Sequence, residues 1–93
     1  MRIVMKYSEI KIKNERGLHA RASARLVEVV DKYEAVAKIG RDDQFASGDS
    51  IMALLMLAAS KGTNISIQTS GAQEEELMEE LINLIVNNFG EEN

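Results

Sequence analysis

The sequence predicts an α+β fold, a two-layer open-faced sandwich in which one β-sheet carries helices on a single face. Segments that alternate apolar and polar residues are interleaved with segments of helical apolar spacing, in the order strand, helix, strand, strand, helix, strand, helix. A length of 93 residues supports one modest core and not two, so residues 1–93 are expected to form a single domain. No linker, low-complexity stretch or internal repeat interrupts the pattern. Strand order cannot be read from it.

Each element has its own signal. Tyr7 to Lys13 places Ile10 and Ile12 on one side of a strand and Glu9, Lys11 and Lys13 on the other. Asn14 to Gly17 supplies a turn. Ala22, Leu26, Val29, Val30 and Tyr33 then recur at helical spacing, with Arg21, Arg25, Glu28 and Lys32 opposite, which predicts a helix from about Ala20 to Lys32. Ala35, Ala37 and Ile39 alternate as a second strand. Gly40 to Asp43 reads as a hairpin turn and Gln44 to Ser47 as a short third strand carrying Phe45. A short helix follows, capped by Ser47 or Asp49 and ended by Gly62 in a left-handed conformation. Ile65 and Ile67 alternate with Ser66 and Gln68 in a fourth strand. Ser70 with Gln73 forms a capping box, and Glu74 to Glu76 suit the positive end of a last helix. That helix has a broad apolar face of Leu77, Met78, Leu81, Ile82, Leu84, Ile85 and Phe89, ended by Asn87, Asn88 and Gly90.

Composition narrows the class. With two Tyr, two Phe, five Met and no Pro, the core must be aliphatic. The absence of Cys removes disulfides and thiolate metal sites, which fits a cytoplasmic location. The opening MRIVMKYSEI is too briefly apolar and too soon charged for a signal peptide, and the longest apolar run, Ile51 to Ala59, is too short to span a bilayer. Membrane insertion is therefore not expected. The net charge of −4 rests mainly on Glu74, Glu75, Glu76, Glu79, Glu80, Glu91 and Glu92, which argues against nucleic acid as the main partner. Arg16, Arg21 and Arg25 instead cluster around the only histidine and make a local positive region able to attract an anion or an acidic partner surface.

That histidine, His19, stands where the turn ending in Gly17 meets the first turn of a helix, in the string G-L-H-A-R. Free backbone N–H groups and roughly half a positive charge favour an anion such as phosphate at a helix start. An imidazole, with a reference pKa of about 6.5, is largely neutral near pH 7 and presents a nitrogen nucleophile toward phosphorus. Arg21 can pair with phosphoryl oxygens through its fork of donors. On spacing alone, His19 can equally be a polar helix-start residue among ordinary solvated arginines. A metal site has less support, since one His, no Cys and a separate Asp42–Asp43 pair do not form a ligand set.

The string G-L-H-A-R-A-S-A, Gly17 to Ala24, resembles the active-site signature of the HPr proteins of the phosphoenolpyruvate-dependent phosphotransferase system. The block from Gly48 to Thr63, G-D-S-I-M-A-L-L-M-L-A-A-S-K-G-T, resembles that family's regulatory-serine segment at the expected separation. The likeness covers nearly the whole chain. It implies a four-stranded antiparallel sheet covered on one face by three helices. It implies further that His19 receives phosphate from Enzyme I, which takes it from phosphoenolpyruvate, and passes it to the histidine of an IIA-type protein. Arg21 matches the family's active-site arginine and Ser50 the serine modified by an HPr kinase in some bacteria. The chain would then be a stoichiometric phosphocarrier rather than an enzyme, with no cofactor. A shuttle that visits two partners has no need to oligomerise, so a monomer is expected. Ala22 departs from the proline that many members carry; proline there preorganises the turn without supplying a chemical group. The departure points to the proteobacterial regulatory, nitrogen-related branch.

Ser50 read by itself is a helix cap. The helix after it is apolar around most of its circumference, so some of Ile51, Met52, Leu55 and Met56 are expected at the surface as a docking patch; the alternative is that the helix is simply buried. Two further functional readings stand beside the carrier. One is a regulatory binding protein on the same fold that carries no phosphate, which would have no need of His19. The other is an unrelated small α+β module whose G-L-H-A-R turn holds a free anion.

Overall fold

The computed structural model describes residues 6–91. The elements are β1 (Lys6–Lys11), α1 (Ala20–Asp31), β2 (Val36–Arg41), β3 (Gln44–Ser47), α2 (Ile51–Met56), β4 (Asn64–Ser70) and α3 (Glu74–Val86), followed by a turn at Asn88–Gly90. The strands form one sheet in the order β1-β4-β2-β3, and every pairing is antiparallel. The last strand in sequence is thus inserted between the first two, which is why the order of elements left the strand order open.

Period two decides the faces of the sheet. Ile65, Ile67 and Thr69 of β4, Ala37 and Ile39 of β2 and Ala46 of β3 are buried, while Asn64, Ser66, Gln68 and Ser70 alternate to the other side. Against the buried face lie Ala22, Leu26, Val29 and Val30 of α1, Leu54 of α2, and Leu77, Met78, Leu81 and Ile85 of α3. The helices cover one side, with α1 packed against both α2 and α3. No helix among the described residues is long and apolar enough to cross a membrane.

Several boundaries differ from the sequence expectations. β1 ends at Lys11 rather than Lys13. Ile12 nevertheless stays fully buried and keeps its backbone partners, donating to the Thr63 carbonyl (2.9 Å) and accepting from Gly62 N–H (2.7 Å). The hairpin turns at Asp42–Asp43, with Asp42 left-handed at φ 55°, and Gly40 lies inside β2. Gly40 leaves room for two neighbours on the open face: an added Cβ would lie 2.4 Å from Ser66 Oγ and 2.8 Å from the Phe45 ring.

The cap of α2 is Ser50, not Ser47 or Asp49; its Oγ accepts from Ala53 N–H (3.1 Å), while Ser47 Oγ donates to Asp49 (2.6 Å). Nor does Gly62 end α2. The helix stops at Met56, Ala58 turns left-handed at φ 52°, and the Arg41 guanidinium satisfies the carbonyls of Leu57 (3.0 Å) and Ala58 (2.6 Å). Gly62 belongs to the next turn.

The expected capping box of Ser70 and Gln73 does not form. Gln73 Oε1 accepts from Glu34 N–H (2.8 Å), and Glu74 folds back to accept from Gly71 N–H (3.1 Å). Glu74 is therefore buried at the start of α3, with Glu75 and Glu76 beside it in the first turn as the sequence places them.

Candidate functional site

The position of His19 begins with Gly17. Gly17 is left-handed at φ 63°, and a Cβ there would lie 2.5 Å from the Ala59 carbonyl oxygen and 2.8 Å from Ser60 Cα. Only glycine lets this loop lie against the segment leaving α2. Leu18 then donates to the Ala59 carbonyl (2.8 Å) and buries its side chain, so the chain enters α1 at a fixed angle.

His19 is the N-cap of α1, with extended backbone (φ −80°, ψ −175°) and a carbonyl that accepts from Ser23 N–H (2.8 Å). Its ring completes the cap: Nδ1 accepts from Arg21 N–H (3.3 Å). An acceptor nitrogen at that place faces the unpaired N–H groups and positive dipole end of a twelve-residue helix.

The opposite ring nitrogen meets a residue from the far end of the chain. Nε2 pairs with Glu91 Oε2, and the other carboxylate oxygen accepts from Asn14 Nδ2 (2.9 Å). Asn14 is fully buried and donates also to the Gly17 carbonyl (2.9 Å), so one amide braces both the His19 loop and the carboxylate. The side chains of His19 and Glu91 are only 18% and 14% exposed. Burial pushes the Glu91 carboxyl up, but hydrogen bonds from Asn14 and His19 and the charges of His19 and Arg16 outweigh it and hold the group below the ordinary glutamate range.

Glu91 is delivered by an unusual turn in which Asn88 (φ 56°), Phe89 (φ 56°) and Gly90 (φ 79°) are all left-handed. For Asn and Phe this conformation costs on the order of 1–2 kcal/mol each and must be held from outside. Two contacts hold it. The Phe89 ring is fully buried in the core, and the Arg25 guanidinium donates to the Phe89 carbonyl. A Cβ on Gly90 would lie 2.2 Å from that guanidinium, so a larger residue would displace it.

The expected site residues are thus only partly gathered. Arg21 is exposed and makes no ion pair among the described residues, leaving its guanidinium available. Arg25, grouped with it in the sequence, is committed to the Phe89 carbonyl. Ser50 stands at the other helix start. Along α2, Ile51 (39%), Met52 (70%) and Met56 (78%) are exposed and Leu55 is half-buried, an apolar strip on the helix that packs against α1. Asn14 and Glu91 did not emerge from the sequence: one read as a turn residue, the other as tail charge. The available signal was the Phe-Gly pair after α3, an apolar anchor and a left-handed residue beyond the last helical turn.

A family model described as "PTS HPr component phosphorylation site" matches residues 6–87. The chain is 48% identical over 84 residues to the phosphocarrier protein HPr of Pseudomonas aeruginosa, covering 89% of this chain and 93% of that protein. It is 32% identical over 87 residues to the phosphocarrier protein NPr of Proteus mirabilis, covering 92% and 97%. Similar relatives therefore occur in proteobacteria under both names. Among solved structures, HPr of Thermoanaerobacter tengcongensis superposes with a TM-score of 0.90 at 35% identity, covering 95% of this chain and 99% of that one.

Proposed function

The chain belongs to the HPr family of phosphotransferase-system carriers, and we propose that the atom it uses is Nδ1 of His19. The observation that carries this reading is the ring's orientation, with Nδ1 turned to the start of α1 and Nε2 occupied by Glu91. In the transfer, the Nδ1 lone pair forms a bond to the phosphorus of phospho-Enzyme I as the bond from phosphorus to its leaving group breaks, the leaving group keeping that electron pair. The Nε2 proton stays, so the product is a phosphoimidazolium. The Arg21 N–H gives up Nδ1 as the bond to phosphorus forms and, with the other free N–H groups at the start of α1, receives the phosphoryl oxygens, while the Arg21 guanidinium swings in as counter-charge. Return to the ground state requires the phosphoryl group to pass to an IIA-type histidine. The protein acts stoichiometrically, as a cytoplasmic monomer that meets its partners in turn.

Partner contact falls to the exposed Ile51, Met52 and Met56 with Leu55, apolar groups of adaptable shape on the helix that packs against α1. Ser50 at the head of that strip is a regulatory site for an HPr kinase/phosphorylase. A phosphate on its Oγ adds close to two negative charges at the start of α2, which the helix end tolerates and an acidic partner surface does not.

The test is labelling with phosphoenolpyruvate and Enzyme I. Wild type should gain one acid-labile phosphate and His19→Ala none. Full labelling of His19→Ala would show that another residue is the acceptor. No label on wild type would favour the regulator that carries no phosphate, and reversible anion binding without label the anion-holding module.

A further inference from the structure

We propose that Glu91 is a positioning residue for the transfer: its carboxylate holds the Nε2 proton, so that Nδ1 keeps its lone pair, and it then balances the cation formed when Nδ1 is phosphorylated. This rests on His19 being the acceptor.

A neutral imidazole carries one N–H, and the tautomer is set by what each nitrogen meets. At Nδ1 the ring meets a donor, the Arg21 N–H; at Nε2 it meets an ionised carboxylate, which can only accept. Both contacts select the same tautomer, with the proton on Nε2. The alternative tautomer would set N–H against N–H at Nδ1 and leave the carboxylate facing a lone pair. After transfer the ring is positively charged, and its hydrogen bond to the carboxylate becomes an ion pair, an interaction the neutral ring does not make.

The surroundings show how Glu91 is kept in place. Asn14 holds the second carboxylate oxygen from a fully buried position, Arg25 holds the Phe89 carbonyl, and three successive left-handed residues aim the side chain. Arg16 adds positive charge nearby, so the ionisable groups facing Glu91 are Arg16, always cationic, and His19, cationic only when its ring is protonated or phosphorylated; Arg25 is engaged by the Phe89 carbonyl. A purely structural latch for the segment after α3 would already be supplied by the buried Phe89 ring.

The decisive comparison is wild type against Glu91→Gln, a substitution of equal size, with Glu91→Asp as the conservative variant. Nitrogen-15 shifts of the His19 ring, read on the neutral form, report the tautomer without any phosphorylation. Wild type should be predominantly Nε2–H. In Glu91→Gln, whose amide can donate as well as accept, the populations should mix, and transfer from phospho-Enzyme I should slow by on the order of tenfold to a hundredfold, by analogy with the loss of a carboxylate that orients a metal-ligating imidazole. Glu91→Asp should recover part of both. An amide spectrum otherwise like wild type shows that the fold is kept. Unchanged tautomer populations in folded Glu91→Gln would overturn the inference whether or not the rate falls, since a rate loss alone would mark a structural latch. In that case label on wild-type His19 still supports the carrier reading, whereas no label on wild type would overturn both.

Discussion

Two helices of this chain start from a residue whose own side chain caps them, yet the surroundings of the two caps have little in common. At Ser50 the cap is local: Oγ accepts from Ala53 three residues on, and the neighbouring Ser47–Asp49 pair is equally short in sequence. At His19 the cap is only half of the arrangement. The ring also meets Glu91, 72 residues away, which is held by Asn14 and by a turn locked on Phe89 and Arg25. A local cap leaves the Ser50 hydroxyl tied only to its own helix start. A cap built across the whole fold holds the His19 ring in one orientation, the condition the proposed nucleophile needs.

The largest expected effect comes from removing the anchor of that long-range assembly. Phe89→Ala should cost about 3–5 kcal/mol, the usual range for a fully buried Phe, measured by thermal or denaturant unfolding. It should also loosen the Glu91 contact, seen as a change in His19 ring resonances, while the Ala53 amide at the other cap keeps its shift. If stability falls and the His19 resonances stay put, the turn is held by something other than Phe89.

Arg21→Ala separates charge from construction. Transfer should slow about tenfold, equivalent to about 1.4 kcal/mol of barrier, while stability stays within about 0.5 kcal/mol because the side chain is exposed. Lysine should restore only part of the rate. A rate equal to wild type would return Arg21 to the solvated charges.

Ser50→Ala should cost about 1 kcal/mol of stability through the lost cap and leave labelling of His19 complete. Ser50→Asp keeps an oxygen acceptor at the cap and adds charge, so its effect should fall on initial rate against Enzyme I concentration and not on circular dichroism. Coincident rate curves for Ser50→Asp and wild type would remove the regulatory role and leave the cap.

The smallest effect is a pH response. Glu91 is held below the ordinary glutamate range, so its folded pKa lies under its unfolded one and the carboxylate stabilises the fold at pH above about 4. That contribution is lost as pH falls through the folded value. Carbon-13 shifts of the Glu91 carboxyl should titrate below the ordinary range, accompanied by faster exchange of the Gly90 and Glu91 amides. A midpoint at or above the ordinary range would mean that the Asn14 and His19 contacts are not held in solution.

How much of this was legible follows the same division. The helix starts at His19 and Ser50 could be read because a helix start is a local event, decided by neighbouring residues and their periodicity. The alternating Ile65 and Ile67 likewise marked β4. The sequence could not say that β4 lies between β1 and β2, because pairing depends on which distant strand is adjacent and not on either strand alone. The end of α2 and the cap of α3 were misplaced for a related reason: Arg41 and Glu34, far along the chain, satisfy groups that local rules assigned to Gly62 and Ser70. Glu91 was hidden most completely. Its place beside His19 depends on two non-glycine residues, Asn88 and Phe89, adopting a conformation that their own preferences oppose and that the packed core and Arg25 enforce.

The central claim is that the fold presents one particular nitrogen of His19, and the direct measurement is which nitrogen becomes phosphorylated. Wild type labelled with nitrogen-15 in its histidine and charged from phosphoenolpyruvate through Enzyme I should show phosphorus-31 coupling at Nδ1, with Nε2 still protonated against Glu91. Coupling at Nε2, or a phosphorus signal on any other residue, would contradict the account.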